Sequence, residues 1–261
     1  MELDIYQVDA FTDSVFGGNP AAVCPLDAWL SDTTLQAIAS ENNLSETAFF
    51  VAEGTGFRLR WFTPGVEVKL CGHATLATAK VLFEQLNYNA EQIVFHTLSG
   101  ELRVRREGVQ LSMDFPTHSM ETIDTPAALT TAIGLPAEEC FQDSNDDYML
   151  VYPDQAAIEG LQPDMAALLE VPARGIIVTA PGAQYDFVSR FFGPRVGINE
   201  DPVTGSAHCS LTPYWARRLQ KTQLRARQVS ARGGDLRCEL KDDRVVLTGQ
   251  ASLYMQGKIY V

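Results

Sequence analysis

Apolar and polar positions alternate along much of the first half of the chain, a pattern that predicts strands. The alternation runs from Leu3 to Phe11, and the segments Thr47–Ala52 and Phe57–Phe62 are also strand-like. Helical spacing interrupts it over Asp32–Asn43, with Ser31 or Asp32 as the N-cap. Three further strands are predicted at Gln92–His96, Glu101–Arg106 and Val109–Phe115.

The segment Gly72–Leu86 differs from a surface helix because it carries apolar residues on most of its faces. A helix of this kind is normally enclosed by protein. A second helix is predicted to begin near Gly205. Pro213 lies inside that helix, where it removes a backbone donor and is expected to kink the axis.

The second half repeats the plan of the first. Helical stretches are predicted near Pro126–Ile133 and Met165–Leu169. Strands are predicted at Tyr148–Tyr152, Ile176–Ala180, Tyr185–Arg190 and after Gln228.

Short matching segments recur at a nearly constant offset of 130 to 136 positions and in the same order. A repeat this long indicates two similar domains, since solenoid repeats have periods of roughly 20–50 residues. We therefore predict domains at 1–117 and 118–261, with the join near 116–125 and a last strand that can return to the first domain. The matching pairs are Trp61–Pro64 with Phe191–Pro194, Gly100–Val104 with Gly234–Cys238, and Val109–Leu111 with Val245–Leu247.

Gly72 and Gly205 stand at equivalent places, where a loop becomes an apolar helix. A helix start offers unpaired backbone N–H groups and a positive dipole end, which suit a carboxylate or another anion. Two such starts predict a ligand site built between the two halves. Glycine at both positions also lets the backbone approach a ligand closely.

Composition narrows the class of protein. The chain has 261 residues, 46% hydrophobic and 20% charged, as expected for a globular protein. A net charge of −13 without a dense basic run excludes nucleic acid as an expected partner. No apolar stretch reaches the roughly 18–20 residues of a membrane helix, and the acidic start is unlike a signal peptide. Five scattered cysteines indicate reduced thiols and a cytoplasmic location.

Four ordered motifs resemble those of the PhzF-like phenazine-biosynthesis family: Phe16–Val23, Leu44–Phe49, Cys71–Thr75 and Asp201–Ala207. The resemblance spans essentially the whole chain. It implies an α+β, diaminopimelate-epimerase-like fold. In that fold, two similar domains each curl a mostly antiparallel sheet around a central helix, and the active site lies between them. It also implies a homodimer.

The resemblance assigns proton transfer to Glu46. A carboxyl held in an apolar cleft has a raised pKa and can exchange protons near neutral pH, although an exposed glutamate at a strand start is the alternative.

His73, at the first helix start, matches a family site residue. A helix N-terminus favours its neutral form, which can donate a hydrogen bond. Asp201 matches a residue that faces the substrate, although Asp-Pro is also a common turn opener.

Three other site assignments concern binding. Ser206 matches a substrate-contacting residue, but helix capping also explains a serine at this position. Asn19 is expected to shape the first loop and a helix start with Pro20, and to contact the ligand. Gly72 and Gly205 complete the binding set.

We therefore predict a cofactor-independent isomerase that shifts a proton and a double bond on a small carboxylate-bearing metabolite. The resemblance gives dihydro-hydroxyanthranilate as the family's prototype substrate. No metal or organic cofactor is expected, since ligand clusters, a Walker loop and a dinucleotide fingerprint are absent. One alternative is a two-base amino-acid epimerase. It would use Cys71, but the equivalent Val203-Thr204 lacks a thiol, and Cys209 is expected to be a buried hydrophobe. A non-catalytic small-molecule binder is the other alternative.

Overall fold

The computed structural model describes residues 1–261 and divides the chain into two compact units. Unit 1 comprises Met1–Phe115 and Val246–Val261, and unit 2 comprises Pro116–Val245. The elements up to the end of the first segment of unit 1 are β1 (Glu2–Ala10), β2 (Asn19–Pro25), α1 (Asp32–Asn42), β3 (Glu46–Glu53), β4 (Gly56–Phe62), β5 (Glu67–Val68), α2 (Gly72–Lys80), β6 (Gln92–Thr97), β7 (Gly100–Glu107) and β8 (Gln110–Pro116). The remaining elements are β9 (Met120–Thr122), α3 (Ala127–Ile133), β10 (Glu139–Asp143), β11 (Asp147–Val151), α4 (Gln155–Glu159), α5 (Met165–Leu169), β12 (Gly175–Pro181), β13 (Phe187–Gly193), β14 (Ile198–Asp201), α6 (Gly205–Leu219), β15 (Gln223–Gln228), β16 (Gly234–Lys241), β17 (Arg244–Gly249) and β18 (Ala251–Tyr260).

The sheet of unit 1 is mostly antiparallel. Strand β1 pairs antiparallel with both β2 and the C-terminal strand β18. The sheet continues from β2 to β3 in parallel and from β3 to β4 antiparallel. It then runs from β4 to β6 in parallel and through β7 to β8 antiparallel.

Unit 2 repeats this order of pairings. Strands β10 and β11 are antiparallel, β11 and β12 parallel, and β12 and β13 antiparallel. Strands β13 and β15 are parallel, and β15 and β16 antiparallel. A parallel pair needs a crossover connection, and in each unit the second crossover contains a buried helix: α2 in unit 1 and α6 in unit 2. Gly72 and Gly205 therefore begin topologically equivalent helices, which supports the duplication read from the sequence.

Helix α2 is enclosed, as its apolar pattern predicts. Every residue from His73 to Ala79 is buried, and the helix packs against β1, β2, β3 and β18. Its buried threonines are satisfied locally, because the Thr75 and Thr78 hydroxyls donate to backbone carbonyls one turn earlier. The α-helix ends at Lys80, and a π-helical turn, Val81–Gln85, completes the segment.

Helix α6 is anchored by Trp215, which is fully buried. Its ring stacks parallel on Phe187 with the centroids 5.8 Å apart, and its indole N–H donates to Thr179 Oγ1 at 2.9 Å. Pro213 lies within the helix, which nevertheless continues to Leu219.

One expectation about the first loop is wrong. Asn19 and Pro20 do not lead into a helix; they begin strand β2, with Asn19 opposite Ala10 of β1. The turn before them depends on Gly18, whose φ is +60° and where a Cβ would lie 2.1 Å from the Ala10 carbonyl oxygen. Only glycine tolerates both the backbone conformation and the close approach.

Two further observations bear on the class of protein. No helix is both long and apolar enough to cross a membrane. All five cysteines are buried and none forms a disulfide.

His208 is a fully buried histidine in α6. Its Nδ1 lies 2.8 Å from the Thr204 carbonyl oxygen, so Nδ1 carries the ring proton, while Nε2 has no hydrogen-bond partner. Burial lowers the pKa of His208 to about 4 from the ordinary value of 6.5. The folded protein therefore holds this ring neutral where the unfolded chain protonates it.

We predict that His208 makes the protein less stable as the pH falls. Its contribution to the free energy of unfolding is full above the unfolded pKa and declines as the pH drops toward the folded pKa, by ~1 kcal/mol between about pH 6.5 and 5.5. Asp147, whose pKa burial raises to about 6, acts in the opposite direction, so the test compares variants. In His208→Asn, the new amide can still donate to Thr204. Urea denaturation of this variant should show that the loss of unfolding free energy caused by His208 between about pH 6.5 and 5.5 is gone. His96→Asn, on β6, is the control, and an unchanged pH dependence in His208→Asn would contradict the prediction.

Candidate active site

Glu46 is the first residue of β3. Helix α1 ends with Asn43 in the left-handed conformation, with φ of 49°, which lets the chain turn directly into the strand. The parallel pairing of β3 with β2 sets Glu46 opposite Ala21. Glu46 is only 9% exposed, so the alternative of a solvent-exposed glutamate at a strand start is wrong.

His73 is the second residue of α2 and is 4% exposed. Burial lowers its pKa to about 3, so the imidazole is neutral at physiological pH. The sequence predicted a neutral ring from the helix dipole. In the structure, the exclusion of water is the cause of the shift, because it disfavours the charged form.

The two ring nitrogens of His73 face two different side chains. Nε2 lies 3.2 Å from Glu46 Oε2, and Nδ1 lies 3.2 Å from the amide nitrogen of Asn19. An amide nitrogen can only donate, so Nδ1 accepts and the ring proton stands on Nε2, beside the carboxylate. The Nε2–H does not point squarely at the carboxylate, and no well-aligned hydrogen bond joins them.

Cys71 precedes α2 as its N-cap and adds a thiol to this group. Its Sγ lies 3.5 Å from His73 Nδ1, and the thiol does not cap the helix. One donor atom from each of Glu46, Cys71 and His73 lies within 4.8 Å of the other two. Gly72 follows as the first helical residue. Because the Cys71 side chain makes no capping bond, the start of α2 has no side-chain cap.

In unit 2, Asp201 ends β14 and is 8% exposed. The Thr204 hydroxyl donates to Asp201 Oδ2 at 2.5 Å. The Gln228 side chain links the same residues: its amide nitrogen donates to the Asp201 carbonyl oxygen at 2.6 Å, and its oxygen accepts from the Thr204 N–H at 2.9 Å. Asp201 is therefore held in a fixed position just before α6.

Ser206 does not cap α6. Thr204 is the N-cap residue, Gly205 is the first helical residue, and neither Thr204 nor Ser206 makes a side-chain capping bond. Instead, Ser206 Oγ accepts from Arg174 Nη2 at 3.2 Å, and the same guanidinium pairs with the buried Asp147. The capping explanation for Ser206 is wrong.

Sequence reasoning missed Arg174, Thr204 and Gln228. Asp147 and Arg174 meet because β11 pairs with β12 in a register that sets Asp147 opposite Gly175. Gln228 reaches Thr204 from the end of β15. Pairing register brings these residues together, and no local sequence pattern reports it.

The structure brings Asn19, Glu46 and His73 together next to Gly72 in unit 1. In unit 2 it sets Asp201 and Ser206 on either side of Gly205. The expectation that both groups serve one substrate stays a prediction.

Comparisons with known proteins identify the family. A family model described as "Phenazine biosynthesis-like protein" matches residues 8–257. An uncharacterized isomerase of Pseudomonas aeruginosa is 58% identical over 261 residues, which span all of both chains.

Solved structures agree. A crystal structure of a phenazine biosynthesis protein of the PhzF family from Enterococcus faecalis is similar over all of both chains, with a TM-score of 0.96 and 46% identity. A probable proline racemase from Agrobacterium radiobacter shares the fold alone, with a TM-score of 0.69 and 10% identity over 99% of this chain and 93% of the racemase. The chain therefore has the α+β fold common to PhzF and racemase proteins, and it belongs to the phenazine biosynthesis-like family of isomerases.

Proposed function

We propose that the protein is a cofactor-independent isomerase that moves a proton, and with it a double bond, on a small carboxylate-bearing metabolite. Glu46 is the general acid and base. The observation that carries the proposal is the carboxylate of Glu46 at 3.2 Å from Nε2 of a buried, neutral histidine. The expected site of proton exchange thus lies at the start of an enclosed helix.

In the proposed reaction, the Glu46 carboxylate takes a proton from one carbon of the substrate. The electron pair of the broken C–H bond forms the new double bond, the pair of the old double bond moves to its far carbon, and that carbon takes a proton back from Glu46. The enzyme ends in its starting state, so no co-reactant is needed. The Nε2–H of neutral His73 donates to developing negative charge.

The starts of α2 and α6 are proposed to bind the anionic end of the substrate. Backbone N–H groups at Gly72 and Gly205 supply donors without an added charge. Asp201 is the further catalytic group, and Ser206, oriented by Arg174, is a binding residue. Asn19 is assigned to positioning His73, because its amide contacts the ring.

The chemistry of the cysteines disfavours a two-thiol epimerase. Cys71 is beside His73, but Cys209 is fully buried in α6 and burial raises its pKa to about 12. A thiol of that pKa supplies almost no thiolate at neutral pH. A non-catalytic binder would have no use for a buried carboxylate against a neutral imidazole, an arrangement suited to proton exchange.

The physiological substrate is proposed by class: a small anionic metabolite, with dihydro-hydroxyanthranilate as one candidate. We also propose a homodimer, because of the family resemblance, and a cytoplasmic location, because the five cysteines are reduced.

Deuterium incorporation tests the assignment of Glu46. A panel of small carboxylates, including dihydro-hydroxyanthranilate, is incubated with the protein in heavy water and followed by proton NMR. On the substrate found, Glu46→Gln should lower turnover by at least ~10²-fold, because the amide keeps the shape but cannot exchange the proton. Substrate affinity should change little.

Two variants make the test specific. Glu53→Gln, at the exposed end of the same strand, should retain activity. Loss of exchange in Cys71→Ser but not in Glu46→Gln would instead support the epimerase. Ligand binding with neither a double-bond shift nor proton exchange on any member of the panel would support the binder.

Asn19 provides a second test through the proton position on His73. Asn19→Asp replaces a donor with an acceptor, which draws a proton to Nδ1 and favours an imidazolium between two carboxylates. We expect turnover to fall by at least ~10²-fold, as when the tautomer of a catalytic histidine is wrong. Asn19→Ser, whose hydroxyl can still donate, should lose less. A purely structural role predicts the reverse order, because aspartate is closer to asparagine in shape.

A further inference from the structure

Glu46, Cys71 and His73 form a cluster of three unlike donors: a carboxylate, a thiol and an imidazole. All three residues are at least nine-tenths buried. They come from the start of β3 and the start of α2. Proton transfer in the proposed reaction uses Glu46 and His73 but gives no role to the thiol.

The separation between Glu46 and His73 matches that between two ligands of one metal ion, and the Cys71 thiol lies close to both. Bond lengths of about 2.0–2.3 Å in a tetrahedral zinc site place neighbouring donor atoms ~3.3–3.7 Å apart. Glu46 Oε2 and His73 Nε2 are 3.2 Å apart, and Cys71 Sγ lies 3.5 Å from the same imidazole ring, at Nδ1. One donor atom from each residue lies within 4.8 Å of the other two, so rotation of the Cys71 side chain toward Nε2 would close the three on one ion.

His73 supplies an independent sign that this position suits a ligand. Its Nε2 is buried and forms no well-aligned hydrogen bond, although a carboxylate oxygen is 3.2 Å away. Buried polar atoms are rarely left in this state. A cation beside Nε2 would give this nitrogen a partner.

We propose that Glu46, Cys71 and His73 bind a zinc-like divalent cation, and that this cation inhibits the enzyme. On binding, the thiol proton leaves to solvent and the thiolate sulfur bonds to the metal. Nε2 also becomes a ligand, so the ring proton moves to Nδ1, where the Asn19 amide can accept it after rotating about its last bond. Thiolate, carboxylate and neutral imidazole together cancel the charge of the divalent ion, which suits a buried position.

The donor types select the ion. A thiolate beside an imidazole favours zinc, cobalt or cadmium, whereas magnesium and calcium prefer oxygen ligands. Three protein ligands leave the fourth tetrahedral position for water. The metal would occupy the carboxylate that exchanges protons in the proposed function, so metal binding and turnover are mutually exclusive.

Cobalt absorbance tests the site without any substrate, so the result does not depend on the proposed function. One equivalent of Co²⁺ is added to metal-free protein that carries no affinity tag. We expect the visible bands of a tetrahedral cobalt site and a near-ultraviolet charge-transfer band from thiolate to cobalt. One equivalent of Zn²⁺ should abolish both, and an excess of Mg²⁺ should not.

Variants identify the ligands. Cys71→Ser should lose the charge-transfer band, and Cys24→Ala, which removes another buried thiol of unit 1, should keep it. Glu46→Gln should weaken cobalt binding at least ~10-fold. Mutation of a residue that only supports a metal ligand already costs about this much affinity, so loss of a ligand should cost no less. Circular dichroism checks that each variant is folded. Absence of the bands at one equivalent, or an equal charge-transfer band in Cys71→Ser, would overturn the proposal.

Discussion

The exclusion of water from His73 is the constraint on which the site of unit 1 depends. A solvated histidine would be partly protonated near neutral pH and would form an ordinary ion pair with a carboxylate. Burial at the start of α2 lowers its pKa to about 3, so the ring beside Glu46 is neutral. His73 is enclosed because strands pack around α2. Two of these strands, β2 and β3, also carry Asn19 and Glu46. Fold and site are therefore consequences of the same packing.

Much of the fold could be predicted from the sequence. The apolar residues on most faces of Gly72–Leu86 predicted an enclosed helix. Ser31 was one of two predicted N-caps for α1, and its side chain accepts a hydrogen bond from the Thr34 N–H. The α+β fold class and the family were predicted correctly. These features depend on local periodicity or on contiguous motifs, which a single sequence displays.

Features that depend on strand pairing were not accessible. Asn19 was assigned to a loop before a helix because the proline that follows it favours a helix start, but Gly18 turns the chain into β2. The contact of Asn19 with His73 spans 54 positions, and that of Arg174 with Ser206 spans 32. A sequence shows which residues are chemically able to meet, and the register of the sheet decides which of them do.

The protonation state of His73 is the central claim, and NMR measures it directly. Long-range proton–nitrogen correlation spectra of metal-free protein with ¹⁵N-labelled histidine distinguish a neutral ring from an imidazolium and show which nitrogen carries the proton. The His73→Asn variant assigns the signals. At neutral pH, we predict a neutral ring with its proton on Nε2. An imidazolium, or a neutral ring protonated on Nδ1, would contradict it.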